Sequence, residues 1–337
     1  MRLRSLRRRD FIAVLSGAAA WPLAGRGQQS ERIRRVGVLT AYRENDPTTQ
    51  PFLTAFVQAL ERFGWAEGKD IQIDYRFAAG DLALFKSYAA DLVGLAPDAI
   101  LAGSSPAVAA LRQQARSIPI VFAAVGDPVG QGFVQSLARP GGNITGFSSP
   151  DALLYGKWLQ LLKEIAPRVT RVAVIFNPDA TPAAALFHAA IDAIEAAAPS
   201  LGISVTLAPV RDDSGIEAAI AALAREPGGG VIDFPDGGFT TTHRDVIIAA
   251  TARQRLPMIG WHAVSRAGGL MSYWFDPVDS FAGAASYIDR ILKGAKPADL
   301  PVQQPTKYSL IINLNTANAL GLTVPQSILQ RADEVIE

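Results

Sequence analysis

The chain has 337 residues, of which 49% are hydrophobic and 19% charged, a globular composition with no disordered signature and long enough for two domains. Its formal charge is +1; six basic residues and one acidic residue precede Gln28, and no basic run follows, so nothing resembles a nucleic-acid footprint. With no cysteine, disulfides, thiol catalysis and thiolate metal sites are excluded, and His188, His243 and His262 stand too far apart to match a metal-ligand spacing.

At the start, Arg7-Arg8-Arg9 precedes an apolar run over 11–21 broken only by Ser16 and Gly17. That run is too short to span a bilayer but suits the hydrophobic region of a secretory signal. Arg8-Arg9-Asp10-Phe11-Ile12 resembles a twin-arginine export signal, whose cargo crosses the membrane folded. Residues 1–27 are therefore expected to be absent from the mature protein, with cleavage before Gln28.

A first unit over about 33–147 alternates strand-like and helix-like segments. A strand over 36–40 is followed by a polar loop and a helix opening at Pro51, with Phe52, Phe56, Leu60 and Phe63 at helical spacing. Ile71, Ile73 and Tyr75 alternate with polar residues in the next strand, and Asp81 is placed to cap the helix after it. A buried strand over 99–102 runs through Gly103-Ser104-Ser105-Pro106 into a helix over 107–114. A strand over 118–122, the turn Gly126-Asp127-Pro128, an amphipathic stretch over 132–137 and a strand over 144–147 complete the unit. Such βα repetition predicts a mostly parallel sheet with helices on both faces.

In open α/β sheets the loops after the strands form the ligand crevice. Ser104 and Ser105 fall there, at a helix start whose free N–H groups and dipole suit a carboxylate; equally, one serine is an N-cap and Pro106 an ordinary first helical residue. Asp127, on the same rim, either takes a ligand ammonium or caps its own turn.

A second unit, over about 156–272, restarts the rhythm. A helix over 153–165 carries Trp158, Leu161, Leu162 and Ile165 on one side. Strands over 171–176, 203–208, 231–234 and 257–261 alternate with helices over 182–198, 215–224 and 242–254. Asn177, Asp236 and His262 each follow one of these strands, so they share one rim. His262 alone reads better as a hydrogen-bonding or surface histidine than as a catalytic base, because no nucleophile setting accompanies it. The aromatic stretch 270–277, LMSYWFDP, breaks the pattern and reads as a strand passing back to the first unit. A helix over 278–292, an extended segment over 301–305, an apolar segment over 309–314 and two short helices over 316–320 and 325–332 follow. GxGxxG after the first strand, GxxxxGK[ST], GxSxG and HExxH are all missing, which leaves dinucleotide, nucleotide-phosphate, serine-hydrolase and zinc-protease chemistry without support.

Several strings together resemble the TrpX-like extracytoplasmic substrate-binding proteins of ABC transporters: LAGSSPAVAAL, IPIVFAAVGDPVGQGFVQSLARPGGNITGFSS, RVAVIFNPD, GGLMSYWFDP and ILKGAKPADLPVQQPTKYSLIINLNTANALGLTVP. The likeness extends over nearly the whole chain from Arg8. It implies the type I periplasmic binding protein fold: two Rossmann-like lobes with parallel-sheet cores, joined by a three-crossing hinge, closing on a small ligand. Lobe 1 would take 33–147 plus 276–305, and lobe 2 would take 150–272 plus 310–337. Ser104, Ser105 and Asp127 correspond to ligand-facing positions of the first lobe, and Asn177, Asp236 and the loop after Trp261 to those of the second. Trp274 stands where many relatives have glycine, and Phe234-Pro235-Asp236 departs from the common form of its loop.

On this resemblance the chain is expected to be a non-enzymatic, monomeric receptor in the periplasm, needing no cofactor and handing an amino acid or an aromatic or branched organic acid to membrane permease subunits. A receptor for a sensor protein and an exported enzyme on the same fold are the alternatives. Phe147, Phe234, Trp261, Tyr273 and Trp274 are the aromatics placed to line the crevice with His262.

Overall fold

Strand β1, Arg34–Thr40, alternates its side chains between two helical layers. Val36 and Val38 face one layer and Leu39 the other. It lies inside a parallel sheet with β2 (Ile71–Phe77), β3 (Ala99–Ala102), β4 (Ile120–Val125) and β5 (Ile144–Ser148), in the order β2-β1-β3-β4-β5. One face is covered by helices Gln50–Arg62 and Pro277–Leu292, through Phe52, Phe56, Phe281 and Ile288. The other is covered by Leu82–Gly94 and Ser105–Gln114, through Phe85, Leu92, Val108 and Leu111. Asp81 caps the first of these, its carboxylate accepting from the N–H groups of Ala83 and Leu84 at 2.8 and 3.3 Å.

This computed structural model describes residues 32–179 and 185–337; the export signal inferred for 1–27 lies outside them, and Arg34 to Glu337 form one compact unit. Its second sheet contains β6 (Arg171–Phe176), β7 (Ser204–Pro209), β8 (Gly229–Asp233), β9 (Met258–Gly260), β10 (Met271–Trp274), β11 (Ser309–Asn313) and β12 (Glu334–Ile336). Their order is β12-β11-β10-β9-β8-β6-β7, parallel throughout except that β11 runs antiparallel to β10. This is the two-sheet α/β architecture that the resemblance implies. Among the described residues no helix is long and apolar enough to cross a membrane.

Three passages connect the sheets. β5 leads to helix Leu153–Ile165 on the second sheet, and β10 leads back to helix Pro277–Leu292 on the first. The segment 301–305 then lies along β5, with Gln303 donating to the Gly146 carbonyl at 3.0 Å and accepting from Ser148 at 2.8 Å, before β11 begins.

Several elements differ from the periodicity. The stretch 132–137 is a chain of turns, with Gly132 at φ +67° and Leu137 accepting from Val302. The helix expected over 242–254 is broken at His243 into Phe239–Thr242 and Arg244–Arg253. The last helix shrinks to Gln326–Leu329, and the chain ends in β12, a three-residue strand that the pattern did not suggest.

Gly146 is the tightest point of the first sheet. It sits in β5 opposite Phe122 at φ +153°, and a Cβ there would stand 2.1 Å from the Phe122 carbonyl oxygen. Gly146→Ala therefore combines backbone strain with a backbone clash, and is expected to lower unfolding free energy by about 2–5 kcal/mol. Chemical denaturation of both proteins checks this; a loss under about 0.5 kcal/mol would contradict the close approach.

Candidate functional site

Both sheets direct the carboxyl ends of their strands at each other. The loops there enclose a cavity of about 650 Å³, within the range for small-ligand pockets. From the first lobe come Tyr42 after β1, Ser104 and Ser105 after β3, and Gly126 and Gln131 after β4. Phe234, Asp236, Trp261 and Trp274 come from the ends of β8, β9 and β10. Tyr155, from the helix after the first crossing, stacks on Phe234 at 5.0 Å between centroids and meets Trp274 at 6.0 Å. Arg112 and Arg116 border the cavity from exposed positions.

Ser104 is the N-cap of Ser105–Gln114: its hydroxyl accepts from the Ala107 N–H at 3.3 Å. Ser105 accepts from the Gln131 amide at 3.1 Å, and that amide also donates to the Gly126 carbonyl. The cap and the cavity position coincide, because a capping residue necessarily stands at the helix mouth.

Of the residues singled out in the sequence, Ser104, Ser105, Phe234, Asp236, Trp261 and Trp274 line this cavity. The other five lie outside its lining, each for a physical reason. Asp127 folds back on its own turn, accepting from the Gly130 N–H at 2.8 Å, with φ +36°. Phe147 packs in the first lobe against Tyr287, 4.9 Å between ring centroids, over the bare Cα of Gly283. Tyr273 is on the opposite strand face from Trp274 and meets Tyr308 at 6.0 Å. Asn177 stands behind Asp236, donating its backbone N–H to Oδ2 at 2.8 Å. His262 fills the seam between the lobes, its ring 5.4 Å from Phe52 and 4.8 Å from Trp261.

Asp236 is buried yet well held: the Thr240 and Gly238 N–H groups donate to Oδ1 and the Asn177 N–H to Oδ2, while the Thr240 hydroxyl has its better acceptor in the Phe234 carbonyl at 2.9 Å. Burial nevertheless pushes its pKa up to about 6. Asp233, below it, is fully buried; burial, then the Asp236 charge, lift its pKa well above the carboxylate range. Trp261 and Thr240 draw it back in part, although neither carboxylate oxygen makes a hydrogen bond of ordinary geometry.

The lobes meet in a buried ion pair. Arg244 Nη1 lies 3.4 Å from Asp46 Oδ2, with side chains 9% and 8% exposed. Beside it the backbone of Gly237-Gly238 presses on the first lobe: a Cβ on Gly238 would stand 2.7 Å from the Ala41 Cβ, and one on Gly237 3.0 Å from Pro106. Sequence reasoning passed over Tyr42, Tyr155, Arg112, Arg116 and this pair. Tyr42 was legible, since it follows β1 as Ser104 follows β3; Asp46 and Arg244, nearly two hundred positions apart, carried no local signal.

His262 is kept neutral. Burial, then the charges of Arg266 and Arg244, lower its pKa to about 3. The unfolded chain thus binds a proton below about pH 6.5 that the folded chain refuses, so His262 costs stability as pH falls from about 6.5 toward 3. Asp236 works oppositely: its raised pKa favours the folded state on acidification through about 6. Comparison with His262→Gln isolates the histidine: the stability difference, parent minus variant, should fall by up to about 1.4 kcal/mol per pH unit below 6.5. Denaturation curves from pH 7.5 to 4.5 test this, and a pH-independent difference would contradict a neutral His262.

Comparison with known proteins agrees with this fold. A family model described as ABC transporter substrate binding protein matches residues 45–336. A tyrosine-binding protein of Clostridioides difficile is 27% identical over 296 residues, covering 87% of this chain and 82% of that protein. A conserved domain protein from Vibrio cholerae superposes with a TM-score of 0.82 at 28% identity, over 90% of this chain and 100% of that one. A Streptococcus pneumoniae ABC domain in complex with L-Trp gives 0.81 at 24% identity, over 90% and 99%.

Proposed function

Given that the chain belongs to the ABC transporter substrate-binding protein family, we propose that it is the extracytoplasmic receptor of an importer, closing on a small carboxylate with an aromatic or branched body. The observation that carries this reading is the interlobe cavity itself, walled by Tyr155, Phe234, Trp261 and Trp274 and floored by a helix start at Ser104-Ser105. Flat aromatic faces enclose an apolar body at little entropic cost, while the serines and the helix dipole hold the carboxylate.

Binding and closure are one process. A ligand touching both lobes favours the closed arrangement by the affinity it gains only there. The closed form then presents both lobes to a membrane permease, which takes the ligand. The basic and apolar order of 1–27 supports export to the periplasm through the twin-arginine route. Tyrosine and tryptophan, named for two relatives, fall within the proposed ligand class.

Thermal denaturation across amino acids, aromatic acids and short-chain acids tests the assignment. A ligand of the native state at a hundred times its Kd adds about 2.7 kcal/mol of stability, so hits should concentrate among carboxylates with hydrophobic bodies. Stabilisation confined to sugars or metal ions would overturn it.

A further inference from the structure

Within that ligand class the cavity discriminates further, and the geometry points to an aromatic or branched carboxylate that lacks an ammonium group, in preference to the amino acid of the same skeleton. The inference rests on the carboxylate reading above and narrows it.

Among the described residues that line the cavity, the formally charged ones are Arg112, Arg116 and Asp236. Among the described residues Arg116 makes no ion pair, and Arg112 reaches only the Gln131 carbonyl, at 3.5 Å. Two guanidinium groups therefore border the cavity against one carboxylate. Such a field draws in an anion and gives no advantage to a zwitterion.

The carboxylate is also largely engaged. An ionised Asp offers about four acceptor positions. Three backbone N–H groups, from Asn177, Gly238 and Thr240, converge on Asp236, while the Thr240 hydroxyl has its better acceptor in the Phe234 carbonyl at 2.9 Å. The first-lobe acid with the sequence position to receive an ammonium, Asp127, is bonded to Gly130 and lies outside the cavity lining. An ammonium brought into this space leaves water to share a carboxylate already held by three backbone N–H groups, which is unfavourable.

Donors, by contrast, are plentiful. The hydroxyls of Tyr42 and Tyr155 make no hydrogen bond among the described residues, although both residues are buried against the cavity. Burial keeps both as neutral phenols, able to donate. With Ser104 and Ser105 they form a lining that asks for acceptor atoms.

Isothermal titration of the mature chain at pH 7.5 with matched pairs tests this: 3-phenylpropanoate against L-phenylalanine, and 4-methylpentanoate against L-leucine. In any pair that binds, the acid without the amino group should bind at least tenfold more tightly. Its carboxamide, which keeps shape but not charge, should bind at least tenfold more weakly than the acid. An amino acid equal to or tighter than its partner overturns this inference and leaves the carboxylate reading standing. A carboxamide as tight as its acid, or no binding by any of these carboxylates, overturns both.

Discussion

Everything functional in this molecule depends on how closely two backbones approach at the seam. Gly237 and Gly238 are at φ +90° and +155°, conformations that a side chain disfavours, and the space where their Cβ atoms would lie is taken by Pro106 and Ala41. The close approach seats Phe234 and Asp236 opposite Ser104 and Ser105, so one cavity has walls from both lobes. A few paces away, the Asp46–Arg244 pair gives up its hydration to meet. A buried pair of this kind roughly balances Coulomb attraction against desolvation. It therefore selects one docking geometry more than it holds the lobes shut, and under the proposed receptor role a ligand touching both lobes would tip the balance.

The second lobe meets this seam with groups kept neutral or nearly so. His262 resists the second proton that would charge it between Phe52 and Trp261, and Asp233 resists losing its proton beneath Asp236. Neutralising these groups removes charges that would otherwise need water when the lobes close. The remaining charge is concentrated on Asp236, where backbone N–H groups absorb it, and on the arginines at the border of the cavity.

What could be read from the sequence follows the range of each interaction. The Asp81 cap, the Ser104 cap and most strands depend on neighbours a few residues away, and the βα rhythm made the two sheets legible. The same short range explains Asp127: Gly126-Asp127-Pro128 is a turn signal, and the structure uses the carboxylate to close that turn. Phe147 and Tyr273 show the limit of periodicity, because alternation says which residues share a face but not which face meets the crevice. Their rings turn to Tyr287 and Tyr308 instead. Tyr155 lies in a helix read only from Trp158, Leu161, Leu162 and Ile165; the crossing after β5 brings it to the cavity. Asp46 and Arg244 meet solely through tertiary closure.

A receptor of this kind works by closure, and an interlobe distance measures closure directly. The chain has no cysteine, so Arg62→Cys and Ala221→Cys, at exposed positions on the first and second lobes, place one spin label on each. Pulsed electron resonance should show a broad or longer distance distribution without ligand. A saturating carboxylate that stabilises the protein thermally should collapse it to a single shorter distance. The same distribution with and without that carboxylate, at demonstrated saturation, would contradict a receptor that works by closing.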